Sequence, residues 1–354
     1  MDYFKKNNFD LIRLVAAAQV MLFHTMHYMA VPVGSLKTIV AYLPGVPAFF
    51  FVSGFLISAS WERNSDLRTF CVNRALRIFP ALWAVLFFSI LTLLLFYDGA
   101  VLRANVGKLI LWSLSQVTIF QDWIPDFTRG YGIGGMNGSL WTIPVELSFY
   151  AFTPIIYWAG KWFTKGGVGL ILFGTIVLSF GLQYAVYGFQ DQIPVLVWKL
   201  ITKSPLPWVG MFCCGVVAQR HLPAIYPLVA GRAPLFIVIY VLTSVASHYL
   251  PVYPLLNGDS NSMGIINYVA LCALILAVAY SWRDLAERLL QRNDISYGVY
   301  IFHIPVINMF VHNGILGWTG FVSALIIAIG LAMLSWFFVE KPALGLRHWA
   351  LYKR

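Results

Sequence analysis

The stretch FDLIRLVAAAQVMLFHTMHYM, residues 9–29, is long and apolar enough to cross a membrane, yet it carries Arg13 and His24. A helix of about 20 apolar residues spans a hydrocarbon layer of roughly 30 Å. At about 100° and 1.5 Å per residue, eleven steps return to nearly the same helix face and place His24 roughly 16 Å above Arg13. Because ionisable side chains are costly in hydrocarbon, a pair held at this spacing indicates a functional site.

Composition extends the membrane prediction to the whole chain. The 354 residues are 60% hydrophobic and 11% charged, whereas about a quarter of the residues in soluble domains are charged. We therefore predict an all-α integral membrane protein, a single bundle of about ten transmembrane helices that forms one domain, residues 1–354. The predicted spans are residues 9–29, 42–60, 79–97, 141–160, 167–187, 204–219, 234–250, 263–280, 296–313 and 317–339.

One further apolar stretch, residues 105–121, does not fit this count. Treating it as a span would put later basic residues on the wrong side of the membrane. We predict an extra interfacial or re-entrant helix on the outer face, packed against protein, with Trp112 and Trp123 at boundary depth. The glycine-rich loop that follows, residues 122–140, is either a saccharide platform or a flexible connection.

The basic residues predict the orientation. With the N-terminus in the cytoplasm, eighteen of the 24 Lys and Arg residues fall on the inner side, which is a strong positive-inside bias. Both termini are therefore predicted to be cytoplasmic, and the net charge of +10 reflects topology. The predicted partner is the lipid bilayer and not nucleic acid. The four cysteines form no CxxC pair, so no metal site is predicted.

Arginines cluster in the first inner segment, ERNSDLRTFCVNRALRIFP, residues 62–80. Arg74 and Arg77 are three residues apart and share a helix face, and Arg68 precedes them. Guanidinium groups at that spacing suit bidentate capture of phosphate oxygens. Ordinary positive-inside anchors explain the same pattern, but Arg13 at the same membrane level favours the phosphate-binding hypothesis.

A carboxylate lies near the outer boundary of the fourth span. GSLWTIPVELSFY, residues 138–150, places Glu146 a turn or two inside, with Tyr150 four residues later. Such a carboxylate is paired, protonated or in contact with a water-filled cavity. One interpretation is a dyad in which Glu146 orients the His24 imidazole. The other is a packing role, with Glu146 tied to a neighbouring Ser, Trp or Tyr.

Several other residues are candidates to line a site. His303, at mid-depth in SYGVYIFHIPV, suits a buried structural histidine as well as a catalytic one. Ser53 begins SGFLIS, whose small residues favour close helix packing. Asn137 precedes Trp141 at an outer helix entry, where exposed amide donors would meet an acceptor sugar, and Ser139 suits an ordinary N-cap.

Motifs in this order resemble the membrane acyltransferase-3 family: FDLIRLVAAAQVMLFH, FFFVSGFLIS followed by NRALRIFP, GSLWTIPVELSFYAF, SYGVYIFHIPV and FVEKPA. The resemblance covers nearly the whole chain. It implies transfer of an acyl group, commonly acetyl, from acyl-CoA to a hydroxyl of an envelope carbohydrate. It further implies site roles for residues of this chain: His24 as the catalytic histidine, Arg13 as its first-helix partner, Glu146 as the acid, and Arg74 and Arg77, with Arg68 beside them, as the acyl-CoA-binding arginines.

The opening NNFDLIRL resembles O-antigen O-acetyltransferases of Gram-negative bacteria. This implies a location in the bacterial inner membrane and a polysaccharide or lipid-linked glycan, such as O-antigen of lipopolysaccharide, as acceptor. No permanently bound cofactor is implied, because acetyl-CoA is consumed as the donor.

Two other classes of protein share part of this pattern. A transporter or flippase of a lipid-linked glycan also has about ten spans and buried charges, but such folds commonly contain inverted repeats, and no matching halves are visible in this sequence. A structural membrane subunit has no need of His24 and Glu146 at a protected depth.

Overall fold

The computed structural model describes residues 6–121, 123–160, 167–250, 252 and 263–347. The α-helices of this part are α1 Phe9–Tyr28, α2 Leu36–Ala41, α3 Gly45–Arg63, α4 Leu67–Phe96, α5 Gly99–Ala104, α6 Val106–Gln116, α7 Thr142–Ala159, α8 Gly167–Gly188, α9 Val195–Thr202, α10 Val209–Arg220, α11 Leu222–Val229, α12 Ala233–Tyr249, α13 Ile265–Tyr280, α14 Leu285–Leu290, α15 Ser296–His312, α16 Gly317–Ser335 and α17 Lys341–Gly345. The all-α prediction is confirmed.

A helix occupies each of the ten apolar segments that the sequence predicts to span. By length and composition, five helices in the described residues are able to cross a membrane, or six if α11 and α12, which are bent by 87°, form one broken span. α10 and α13 are apolar but shorter. The chain is a multi-pass membrane protein, and the count of ten crossings stays a prediction.

The chain divides into two compact units. The first comprises Met1–Ala16, Ala41–Asp66 and Val145–Arg292. Within it, α10 packs on α3 and α8, and α13 packs on α3 and α12. The contact of α3 with α10 requires glycine, because a Cβ at Gly54 would overlap the carbonyl group of Phe212 and a Cβ at Gly215 would overlap that of Phe51. The packing role predicted for SGFLIS thus matches the close approach of these helices.

The second unit comprises Ala17–Val40, Leu67–Pro144 and Asn293–Arg354. Its central helix is α15, which packs on α16 and α4 and is buried along nearly its whole length. A separate apolar cluster in this unit joins Leu93, Trp112, Tyr131 and Met136. α15 therefore supplies most of the interior surface on which the other elements of this unit rest.

One predicted boundary needs correction, and one short helix agrees with its prediction. α4 begins at Leu67, so most of the predicted inner loop is the first part of a 30-residue helix. α6 has 11 residues, about 16 Å at 1.5 Å per residue, and is too short to span. Trp112 on α6 is 2% exposed and belongs to the apolar cluster, so this helix packs against protein as predicted, and the depth of Trp112 in the membrane stays a prediction. Trp123 is exposed.

The glycine-rich loop that precedes α7 is held in place by α15. The Asn308 side chain accepts a hydrogen bond from the backbone N–H of Ile133 and donates to the carbonyl groups of Gly135 and Met136. Gly132 has a φ of +57°, and a Cβ there would collide with Asn308. These bonds exclude the flexible-connection interpretation for this part of the loop.

Candidate active site

The second unit brings two histidines together. His24, on α1, faces His303, on α15, with Nδ1 of His24 2.9 Å from Nε2 of His303. Their rings are nearly parallel, with centroids 5.2 Å apart and an interplanar angle of 17°. His303 is 1% exposed, whereas His24 is half-buried. A neutral pair in this arrangement shares one hydrogen bond and leaves Nε2 of His24 directed away from it.

Asn137 lies against α15, where it contacts Ile301, two residues before His303. Its amide donates to the carbonyl group of Ile301, and its oxygen accepts from the Ser139 hydroxyl. Asn137 is 9% exposed, so its amide serves the protein interior and not an exposed donor site as predicted. Ser139 lies inside a 3-10 helix, Gly138–Trp141, and is not its N-cap; Trp141 ends that helix and is half-buried.

In the first unit, Glu146 is tied to two hydroxyl groups. Its Oε1 accepts from Ser53, 2.9 Å away on α3, and from Tyr150, one turn later on α7. Glu146 is half-buried. Carboxylates at membrane depth require such donors, and these contacts match the interpretation in which Glu146 is tied to neighbouring Ser and Tyr residues. The dyad of Glu146 with His24 stays a prediction.

Arg77 lies between two carboxylates of the second unit. It forms an ion pair with Asp294, and its Nη1 is 3.9 Å from Oε2 of Glu340. The guanidinium also stacks on Trp336, 5.8 Å from the ring centroid. Trp336–Glu340 forms a π-helical turn. We call Arg77, Asp294, Glu340 and Trp336 the arginine clasp; binding of acyl-CoA by Arg77 stays a prediction.

The other predicted arginines lie outside the arginine clasp and differ in exposure. Arg74, one turn before Arg77, is half-buried and lies over the Phe70 ring at 5.7 Å. Arg68 is exposed in the first turn of α4. Arg13 is half-buried on α1. Arg68 therefore has the exposure that binding of an anion from solution requires, whereas Arg74 and Arg77 are both half-buried.

Sequence reasoning found His24 and His303 separately but missed their contact. The only available signal was that His24 and His303 each occupy a mid-span position, which does not identify a partner. It also missed Asp294 and Glu340, because a carboxylate beside a helix end and one in a terminal motif resemble ordinary boundary residues. Among the residues that the structure describes, no group of three or more His, Cys, Asp or Glu side chains is arranged to hold a metal ion.

The family model for an acyltransferase domain matches residues 6–337. The chain belongs to the acyltransferase-3 family. It is similar to "Nodulation protein 10" of Rhizobium leguminosarum bv. viciae, at 29% identity over 97% of this chain and 94% of that protein. It is also similar to the "O-acetyl transferase" of Shigella phage Sf6, at 27% identity over 95% of this chain and 96% of the relative.

A third relative of this acyltransferase is the "Peptidoglycan O-acetyltransferase OatA" of Listeria monocytogenes serovar 1/2a, at 22% identity over 75% of this chain and 45% of that protein. No solved structure matches the chain. Membership of the family makes the chain an acyltransferase and favours the enzymatic hypothesis over the transporter and the structural subunit.

Proposed function

We propose that this acyltransferase transfers an acyl group from acyl-CoA to a sugar hydroxyl of an envelope polysaccharide, and that this acyl group is acetyl. Two relatives of this chain carry names that state O-acetyl transfer, and one of them matches over almost its full length. We extend the proposal to a cytoplasmic donor, a location in the bacterial inner membrane with both termini in the cytoplasm, and a lipid-linked glycan such as O-antigen as acceptor.

The observation that carries the mechanism is the histidine pair. His24 combines partial exposure with a fixed ring orientation, which a general base needs. In the direct version, Nε2 of His24 takes the proton of the acceptor hydroxyl while the hydroxyl oxygen bonds to the thioester carbonyl carbon. The C–S bond then breaks, and the CoA thiolate recovers the proton from the imidazolium. In the two-step version, Nε2 of His24 attacks the thioester carbonyl carbon and the C–S bond breaks, so the CoA thiolate leaves. The acceptor hydroxyl then attacks the acyl group on His24, which releases the imidazole, and the hydroxyl proton passes to solvent, from which the thiolate takes up a proton.

For the donor, we propose that Arg74 and Arg68 bind the phosphate groups of acyl-CoA while Arg77 supports them from the arginine clasp. Ser296, which donates to the clasp carboxylate Asp294, precedes His303 by seven residues of α15, about 10 Å along the helix axis. The extended pantetheine arm of acyl-CoA is able to bridge that distance. Arg13, Glu146, Ser53, Tyr150 and Trp141 remain proposed members of the site.

The test is acyl transfer by the purified protein in lipid nanodiscs. Acetyl-CoA with a radiolabelled acetyl group is supplied together with a bacterial membrane glycan extract, and base-labile label on the glycan is counted. We expect the wild type to label the glycan and His24→Ala to lose about a hundredfold or more in rate, because general acid–base catalysis contributes about 10²–10⁴-fold.

The matched control is His221→Gln, an exposed histidine at a helix end, which we expect to keep the wild-type rate. Full activity of His24→Ala would refute the mechanism. Release of free acetate without label on the glycan would refute the proposed acceptor. Failure of the protein to consume acetyl-CoA would refute the proposed donor.

A further inference from the structure

We propose that His303 is a positioning residue that holds His24 in the tautomer with hydrogen on Nδ1. Nε2 of His24 is then the nitrogen that takes the proton from the sugar hydroxyl. This inference rests on the proposed function for its catalytic consequence. The hydrogen bond between the two rings, and the surroundings of His303, carry the tautomer assignment itself.

Two neutral arrangements of the pair are compatible with a distance of 2.9 Å. Either Nδ1–H of His24 donates to Nε2 of His303, or Nε2–H of His303 donates to Nδ1 of His24. In a neutral imidazole one nitrogen donates and the other accepts. The arrangement is therefore decided by what surrounds the far nitrogen of His303, its Nδ1.

Nδ1 of His303 is buried in protein, and backbone acceptors of its own helix lie beside the ring. The carbonyl groups of Val299 and Tyr300, one turn earlier in α15, interact with the His303 ring. Nδ1 forms no hydrogen bond of normal geometry in the described part of the chain, so these two carbonyl groups act on it through a longer or more bent contact. A bare Nδ1 lone pair against carbonyl oxygens is unfavourable, whereas Nδ1–H is attracted to them. His303 therefore carries its hydrogen on Nδ1 and accepts at Nε2.

This places the hydrogen of His24 on Nδ1 and leaves the Nε2 lone pair available to substrate. His303 does for His24 what a carboxylate does for the base of a hydrolase triad, but without a negative charge. It therefore fixes the ring and its tautomer without balancing the charge of the imidazolium. The expected loss on its removal is smaller than for loss of a triad carboxylate, about tenfold, which corresponds to one hydrogen bond.

Two substitutions separate orientation from packing. His303→Gln keeps an amide oxygen that accepts from Nδ1–H of His24, whereas His303→Leu keeps volume but has no acceptor. We expect His303→Gln to retain acyl-transfer kcat within about threefold and His303→Leu to lose about tenfold, with similar thermal unfolding of both. Equal losses in the two variants would overturn the proposal, because they would indicate packing alone.

The tautomer is measured directly by 15N NMR of the protein labelled in its histidine rings, in nanodiscs and without substrate. The His24 signals are identified by their absence in His24→Ala. We expect a protonated Nδ1 and a bare Nε2 in the wild type, and a mixture in His303→Leu. A protonated Nε2 in the wild type would overturn the inference. Absence of acyl transfer by the wild type would refute the proposed function instead, and the spectrum would still decide the tautomer.

Discussion

Replacing Arg77 with alanine would leave Asp294 and Glu340 enclosed without their cation. The side chains of the three residues are 15%, 11% and 2% exposed, respectively. Removal of one partner from a buried ion pair costs about 3–5 kcal/mol. Asp294 also accepts two hydrogen bonds from Ser296, through its backbone N–H and its hydroxyl, which offset part of that cost. We therefore expect Arg77→Ala to lower the free energy of unfolding by about 3 kcal/mol, at the lower end of that range.

The assay is equilibrium unfolding in mixed micelles, followed by tryptophan fluorescence, combined with the KM for acetyl-CoA. Arg74→Ala is the matched variant, since Arg74 lies one turn away on the same helix but outside the clasp. We expect it to raise the KM with little change in stability, about 0.5 kcal/mol or less. The double variant Arg77→Met with Glu340→Gln should recover part of the stability lost in Arg77→Ala, because it removes one of the two buried carboxylates that would otherwise lack their cation.

The reasoning would be refuted if Arg77→Ala kept wild-type stability while its KM rose as in Arg74→Ala. That result would mean that the Arg77 guanidinium serves the donor and that its contacts with Asp294 and Glu340 contribute little to the fold.

Two further predictions concern packing in each unit. Asn308→Ala should lower the free energy of unfolding by about 3 kcal/mol, because it removes three hydrogen bonds worth about 1 kcal/mol each. The control is Asn313→Ala, which removes an exposed side chain that donates to its own helix and should change the free energy of unfolding by less than about 0.5 kcal/mol. Equal effects of the two variants in a thermal unfolding assay would contradict the role of Asn308 in holding the loop. Gly215→Ala should cost about 1–3 kcal/mol by forcing α3 and α10 apart, whereas Gly174→Ala, with open space around its Cβ position, should be neutral or stabilising in the same assay.

The elements of the fold that depend on local sequence were predictable. Every predicted apolar segment contains a helix, because about 20 apolar residues in lipid satisfy their backbone hydrogen bonds only by forming one. The start of α4 was missed, since its first turns are polar and arginine-rich and resemble a loop. The contacts that bury Trp112 in the apolar cluster were not predictable, because an amphipathic segment does not identify the residues on which its apolar face packs.

The candidate site divides in the same way. The sequence alone determined that His24, Glu146 and the arginines are out of place in an apolar chain, since the cost of burying an ionisable group follows from residue type and depth. Only the tertiary structure decided their partners. His24 meets His303, 279 positions away, and Arg77 differs in surroundings from Arg74, three positions away on the same helix. A hydrogen bond depends on distances of about 3 Å, and these are set by how helices far apart in sequence pack together.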